Sequence, residues 1–357
     1  MKKCVLALLL FLLLQGTALA ADIPREVLDA LPRAAAELLE DADLSPGIGL
    51  WDSVERVLCS VEEQVKTVLR QRIRGIAEVL LVVVLCGAVE GFSQDALKRS
   101  PPFLNMAGGI TITLLTAGSL DSLIGLGTET IRQLHDFSEA LLPALAAAAA
   151  AGGMVSGAAV QQMSAVLCVD LLLSLIHNWL LPGLYVYIGV LTASTCLGEA
   201  RLQLLAKGLK RAITWVLTTA LAAFTLYLSI VRIVSGTADG MAVKMTKTVI
   251  SGVVPVVGGI ISEAAETLLA GAGMLRQTIG LFGLLGILAV CLWPFVQLGV
   301  QYLLYKGAAF AAEIVGVQDL YKLIDGLGGA FGLMLGMTGA CGLLMLVSVL
   351  AAAMTLL

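Results

Sequence analysis

The sequence predicts an all-α, polytopic integral membrane protein. Of its 357 residues, 59% are hydrophobic and only 13% charged. Mean hydropathy is +0.95, and apolar runs recur from about residue 75 to the C-terminus at the roughly 20-residue length that crosses a hydrocarbon core. Soluble domains carry about 25% charged residues, so a water-soluble globule is excluded for most of the chain. The expected layout is a cleaved signal peptide at 1–20, a short helical extracytoplasmic segment at 21–74, and a multi-pass domain at 75–357. That domain has room for about eight transmembrane helices, within a range of about seven to nine.

The signal peptide rests on Met1-Lys2-Lys3, the apolar run Cys4–Leu14 and the small-residue site Ala18-Leu19-Ala20, in that order an n-region, an h-region and a cleavage site. After it, residues 21–48 are acidic and helix-forming. Pro24 suits a first turn, and Val27, Leu28, Leu31, Leu38 and Leu39 recur at helical spacing. Ser45-Pro46-Gly47 interrupts the pattern. A second helix is expected from a cap at Asp52 or Ser53, with a narrow apolar seam through Val54, Leu58, Val61, Val65 and Val68. That face serves either to pack on its own neighbours and the bilayer, or to bind a partner.

Candidate spans follow at 75–92, 103–120, 139–158, 165–181, 183–198, 211–232, 277–299 and 328–352. The 139–158 run is an alanine-glycine tract, credible only inside a bundle. Pro182-Gly183 divides 165–198 into two spans or one broken helical hairpin. The 249–261 stretch, VISGVVPVVGGII, is too short for a regular span. Pro255, Gly258 and Gly259 make it a candidate broken or re-entrant helix, against the alternative of a kinked ordinary one. Basic residues orient the set. With 21–74 outside, Lys98 and Arg99 lie inside, and after four more crossings so do Arg201, Lys207, Lys210 and Arg211. Arg70, Arg72 and Arg74 violate that rule, and the signal peptide explains why the violation is tolerated.

Local chemistry centres on small and polar residues. Gly328, Gly332, Gly336 and Ala340 form a stripe with a four-residue period, and Gly153 and Gly157 offer a second small-residue face. Such faces let helix backbones approach closely in lipid, within one chain or between subunits. Asp170 and His177 are seven residues apart, nearly on one helical face. They make a candidate intramembrane polar pair for proton or cation coupling, with polar glue between helices as the alternative. Trp179, Trp215 and Trp293 read as interfacial anchors.

Enzymatic signatures are not found. There is no GxxxxGK[ST] loop and no HExxH, and the two histidines, His135 and His177, rule out a histidine-rich metal site. No catalytic, cofactor or metal residue is expected. The net charge of −4 and the lack of a basic tract give no nucleic-acid interface. The seven cysteines lie mostly in apolar runs, where a thiol acts as a small hydrophobe.

Several segments resemble the stage III sporulation protein AE family of endospore-forming bacteria. They are IRGIAEVLLVVVLCGAVEG at 73–91, LLAKGLKRAITWVLTTALAAFTLYLSIVRI at 204–233, KTVISGVVPVVGGIISEAAETLLAGAGMLRQTIG at 247–280 and LIDGLGGAFGLMLGM at 323–337. The resemblance implies a subunit of a channel or secretion-like complex in the outer forespore membrane, needed for late forespore gene expression. Its implied partners are other stage III sporulation proteins: an ATPase, small membrane subunits, and ring-forming proteins that face a forespore membrane partner. Membrane lipid is the remaining contact. An autonomous secondary transporter using Asp170 and His177, and a pure scaffold recruiting ring proteins through 21–74, stand as alternatives.

Overall fold

A computed structural model of the chain describes the backbone of residues 31–32, 50–97, 102–151, 155–253 and 258–353, and the side-chain surroundings of most of them. Among the described residues every regular element is helical. The signal peptide, Gly153 and Pro255 lie outside them. In chain order the helices are α1 (Leu50–Leu97), α2 (Pro102–Ala151), α3 (Val155–Leu175), a five-residue π turn (Ile176–Leu180), α4 (Leu181–Leu197), α5 (Ala200–Val253), α6 (Gly258–Val315) and α7 (Gln318–Ala353).

Among the described residues five stretches are long and apolar enough to cross a membrane: Met106–Ala148, Met163–Leu197, Ala200–Val231, Thr278–Val315 and Gln318–Leu350; the expected 75–92 span, inside α1, is not one of them. The chain is therefore a membrane protein with fewer, longer helices than the eight apolar runs imply. Two of the expected divisions are absent. Helix α2 carries the 103–120 run straight through Asp121, Glu129 and Arg132 into the alanine tract, because nothing between them breaks a helix. Pro143 is accommodated inside it. The chain does not turn back at Pro182-Gly183 either. A π turn precedes the proline, closed by the Leu181 N–H donating to the Ile176 carbonyl, and Pro182 falls in the first turn of α4. A missing N–H costs little there, so α3, the π turn and α4 form one continuous rod.

Upstream, α1 begins at Leu50, ahead of the expected cap at Asp52 or Ser53, and passes residue 75 without a break. Of the candidate broken helix, α5 holds the part up to Val253 and α6 the part from Gly258; Pro255 and its neighbours at 254–257 lie outside the described residues. At about 1.5 Å per residue, α2, α5 and α6 each run roughly 75–87 Å. That is more than twice a hydrocarbon core of about 30 Å, so a helix crossing near the membrane normal extends well beyond it.

The bundle has two distinct ends. At the first, α4 turns into α5 at Gly198 (φ +66°), and α6 turns into α7 at Gly316 (φ +94°). Both positions need the left-handed backbone that glycine adopts without strain. The Gly316 N–H closes the α6 terminus on the Ala312 and Glu313 carbonyls at 3.2 and 3.1 Å. The end of α1 and the start of α2 join them there. Gly108 faces Cys86 and Leu320, Gly109 faces Thr195, and Gly87 faces Val315 and Val317. At the opposite end, Phe137 and Leu141 of α2 fill the space over Gly286 and Gly283 of α6. Leu31 is buried against the same Gly286, 3.3 Å from where its Cβ would be.

Helix α7 is the axis of the bundle. It packs on α2, α3, α4, α5 and α6, and carries no charged residue from Gly326 to Ala353. Buried hydroxyls are satisfied locally. Thr130, Thr338 and Ser348 each donate to the carbonyl four residues back, the route open to a hydroxyl where no water is present.

Candidate functional site

The polar cluster lies where α4, α5, α6 and α7 meet near the glycine turns. On α6, Tyr302, Tyr305 and Lys306 share a face by their three- and four-residue spacing. That face rests on the bare backbone of α7. A Cβ on Gly328 would lie 3.0 Å from Tyr305 Cβ, and one on Gly332 would lie 3.1 Å from the Tyr302 ring. Tyr305 tilts against Phe331, with ring centroids 5.1 Å apart, and donates through its hydroxyl to Thr116 Oγ1 at 2.9 Å. This fixes the α6 face to α2 as well as to α7.

Lys306, held by that face, donates to Asp325 Oδ1 of α7 in a close ion pair and lies 5.8 Å above the Tyr302 ring. From α4, the buried Tyr187 hydroxyl donates to the Gly326 carbonyl at 2.9 Å. From α5, Lys210 reaches α7 at Gly329: its Nζ lies 2.5 Å from where a Cβ would be, beside the Tyr187 hydroxyl at 3.3 Å from that point. Both Lys306 and Asp325 are near enough to act on the charge of Lys210. Four helices thus bring two ammonium groups, one carboxylate and three tyrosines together, roughly 14–18 Å along the helices from the turns.

The stripe residues separate by role. Gly328 and Gly332 face α6, while Gly336 faces α5 with Leu217 at 3.6 Å, and Ala340 is buried. Four further α7 glycines were not singled out by the four-residue period. Gly326 faces Leu191 of α4, Gly329 faces Lys210, Gly339 faces Phe295, and Gly342 faces Cys291. Gly157, Gly258 and Gly259 lie in helices whose side-chain surroundings are not described there.

Asp170 and His177 are not brought together. Both are exposed, and His177 falls inside the π turn. Asp170 Oδ1 instead lies 3.4 Å from His135 Nδ1 on α2, and His135 Nε2 lies 3.5 Å from Glu139. His135 Nδ1 is buried without a hydrogen-bond partner, so its approach to Asp170 is an electrostatic contact and not an aligned bond. The contact that Asp170 makes is thus a cross-helix one, between α3 and α2. Lys306 and Asp325 were missed because the apolar runs at 277–299 and 328–352 stop short of them, and Lys210 was read as a loop charge. Extending the helices to their caps, the glycines at 198 and 316, was the available signal.

Among the described residues no group of three or more histidine, cysteine or acidic side chains is placed to hold a metal ion. Fold and cluster together define a polytopic helical membrane protein with an ionic cluster inside its bundle. Residues 51–355 match one family along almost the whole of that bundle, and the chain belongs to the Stage III sporulation protein AE family. A Stage III sporulation protein AE of Bacillus subtilis (strain 168) is 23% identical over 253 residues, which cover 69% of this chain and 62% of the relative. The chain thus matches less than two thirds of that relative's length. No solved structure matches.

Proposed function

We propose that the chain is a non-enzymatic membrane subunit of a channel or secretion-like complex linking mother cell and forespore, needed for late forespore gene expression. Family membership over residues 51–355 carries this reading. In it, the protein resides in the outer forespore membrane with its turn end toward the mother-cell cytoplasm. Arg201 and Lys207 fall near that end of the helices, as the positive-inside rule asks. The long ends of α2, α5 and α6, with the buried Leu31, then project into the space between the two membranes. Their place is to meet ring-forming partners there. Energy comes from a separate ATPase, consistent with a sequence that has no phosphate-cradling loop.

The test is deletion and complementation in a sporulating host, with a late forespore reporter and affinity capture of the tagged chain from sporulating cells. The expected result is loss of reporter activity on deletion, its return with the wild-type chain, and co-capture of the ATPase and other stage III proteins. A reporter unaffected by deletion, or capture of the chain without any of them, overturns the reading.

A further inference from the structure

We propose that Lys210 and Lys306, with Lys207 and Arg211, form a binding site for the phosphate of an anionic phospholipid head group at the outer surface of α5 and α6. The charge count comes first. Asp325 is the carboxylate that meets Lys306, and among the described residues no ion pair within 4 Å is formed by Lys210. Lys210 instead lies over the bare backbone of Gly329, beside the Tyr187 hydroxyl. Two ammonium groups on one carboxylate leave a positive charge among apolar helices, where an uncompensated ion is costly.

Access comes second. The Lys306 and Asp325 side chains are 33% and 36% exposed, and Lys210 is half-buried, so the cluster opens sideways out of the bundle. Lys207 and Arg211 flank Lys210 on α5 and are both exposed. The third observation is what surrounds the opening. Leu204, Leu205 and Trp215 on the same helix are 69%, 57% and 66% exposed, a surface suited to acyl chains and not to water. A free phosphate shares the recognition chemistry, but it would have to reach the cluster across that apolar rim. A lipid brings its phosphate at the right depth with its chains already on the leucines. Basic pockets between helices are the usual form of such head-group sites.

Trp215, one turn from Arg211, supplies the readout. The full chain, with Trp51, Trp179 and Trp293 changed to phenylalanine, is reconstituted in bilayers containing either chain-brominated phosphatidylglycerol or chain-brominated phosphatidylcholine. Quenching of Trp215 is expected to favour phosphatidylglycerol by about five-fold or more, the effect of one or two basic contacts. Lys210→Gln should remove most of that preference and Lys210→Arg should keep it. The exposed pair Lys207→Gln with Arg211→Gln, which leaves the bundle interior untouched, should weaken it. Equal quenching by the two lipids overturns the proposal, and so does a preference that survives Lys210→Gln. Loss of the preference on adding millimolar inorganic phosphate overturns the lipid assignment in favour of a soluble anion. Lack of any lipid preference, with Lys210 cross-linking to a carboxylate of a co-captured protein, assigns the charge to a protein partner instead.

Discussion

The two ends of the bundle solve the same packing problem by opposite means. At the turn end, glycines on α7 bring helices so close that Tyr187 donates to main chain directly and Lys210 lies over the bare backbone of Gly329. Charge there is held among four helices, with Lys306 and Asp325 about one-third exposed. At the far end, large side chains do the filling, with Phe137 and Leu141 of α2 set into Gly286 and Gly283 of α6. Charge there stays outside: Arg132 bridges Glu129 and Asp136 at 2.6 and 3.0 Å along an exposed face. A low-dielectric surrounding strengthens an ionic contact and also penalises any unpaired member. The turn end should therefore be sensitive to single substitutions, and the far end tolerant of changes in charge.

The largest expected effect is at Gly326. A side chain there would run into Leu191 of α4 and displace the carbonyl that accepts from Tyr187. Gly326→Leu should lower stability by about 3 kcal/mol, at the upper end of typical overpacking costs, seen as a fall in melting temperature of the detergent-solubilised chain. Gly329→Ala makes the sharper contrast. Its Cβ would meet first the far end of a flexible lysine, with the buried Tyr187 hydroxyl farther off at 3.3 Å, so the melting temperature should change much less than at Gly326 while the Lys210 ammonium is pushed outward. Equal damage from both would mean that the glycines serve packing alone.

Next in size is Asp325→Asn, which leaves Lys306 and Lys210 without their carboxylate. Breaking a fully buried pair costs about 3–5 kcal/mol. The one-third exposure of both partners reduces the expected loss to about 1–2 kcal/mol, since solvent screens what it reaches. Exchanging the two residues, Lys306→Asp with Asp325→Lys, should recover most of it in thermal melts. Failure of the exchange to recover would show that the Tyr302 ring fixes which helix carries the cation.

Much of this architecture was legible in the residues. Helical class, membrane character and the glycine faces follow from composition and period. Helix number did not, because hydropathy registers apolar runs and not helices: Asp121 and Glu129 interrupt the first without touching the second. The two divisions that proved absent, at 121–138 and at Pro182, each removed one crossing. The turns at 198 and 316 fall at the end that α1 and α2 share. The cluster itself was not legible. Its members come from four helices far apart in sequence, and nothing local to Lys210 marks it as an interior residue. Only the bare backbone at Gly329, facing it across two helices, shows where its ammonium goes.

The smallest expected effect tests the far end. Asp170 is 51% exposed and meets His135 without an aligned hydrogen bond, so Asp170→Asn should cost less than about 1 kcal/mol, the range of exposed ion pairs. It should leave spore formation and forespore reporter activity at the wild-type level. An intramembrane coupling residue behaves differently: removing its charge abolishes transport while the fold survives. Normal melting with lost sporulation would restore a coupling role to Asp170, with His135 as its partner in place of His177, and would contradict the assignment of the sensitive chemistry to the turn end. Normal melting with normal sporulation leaves the Lys306–Asp325 cluster as the place where this bundle can least tolerate a change of charge.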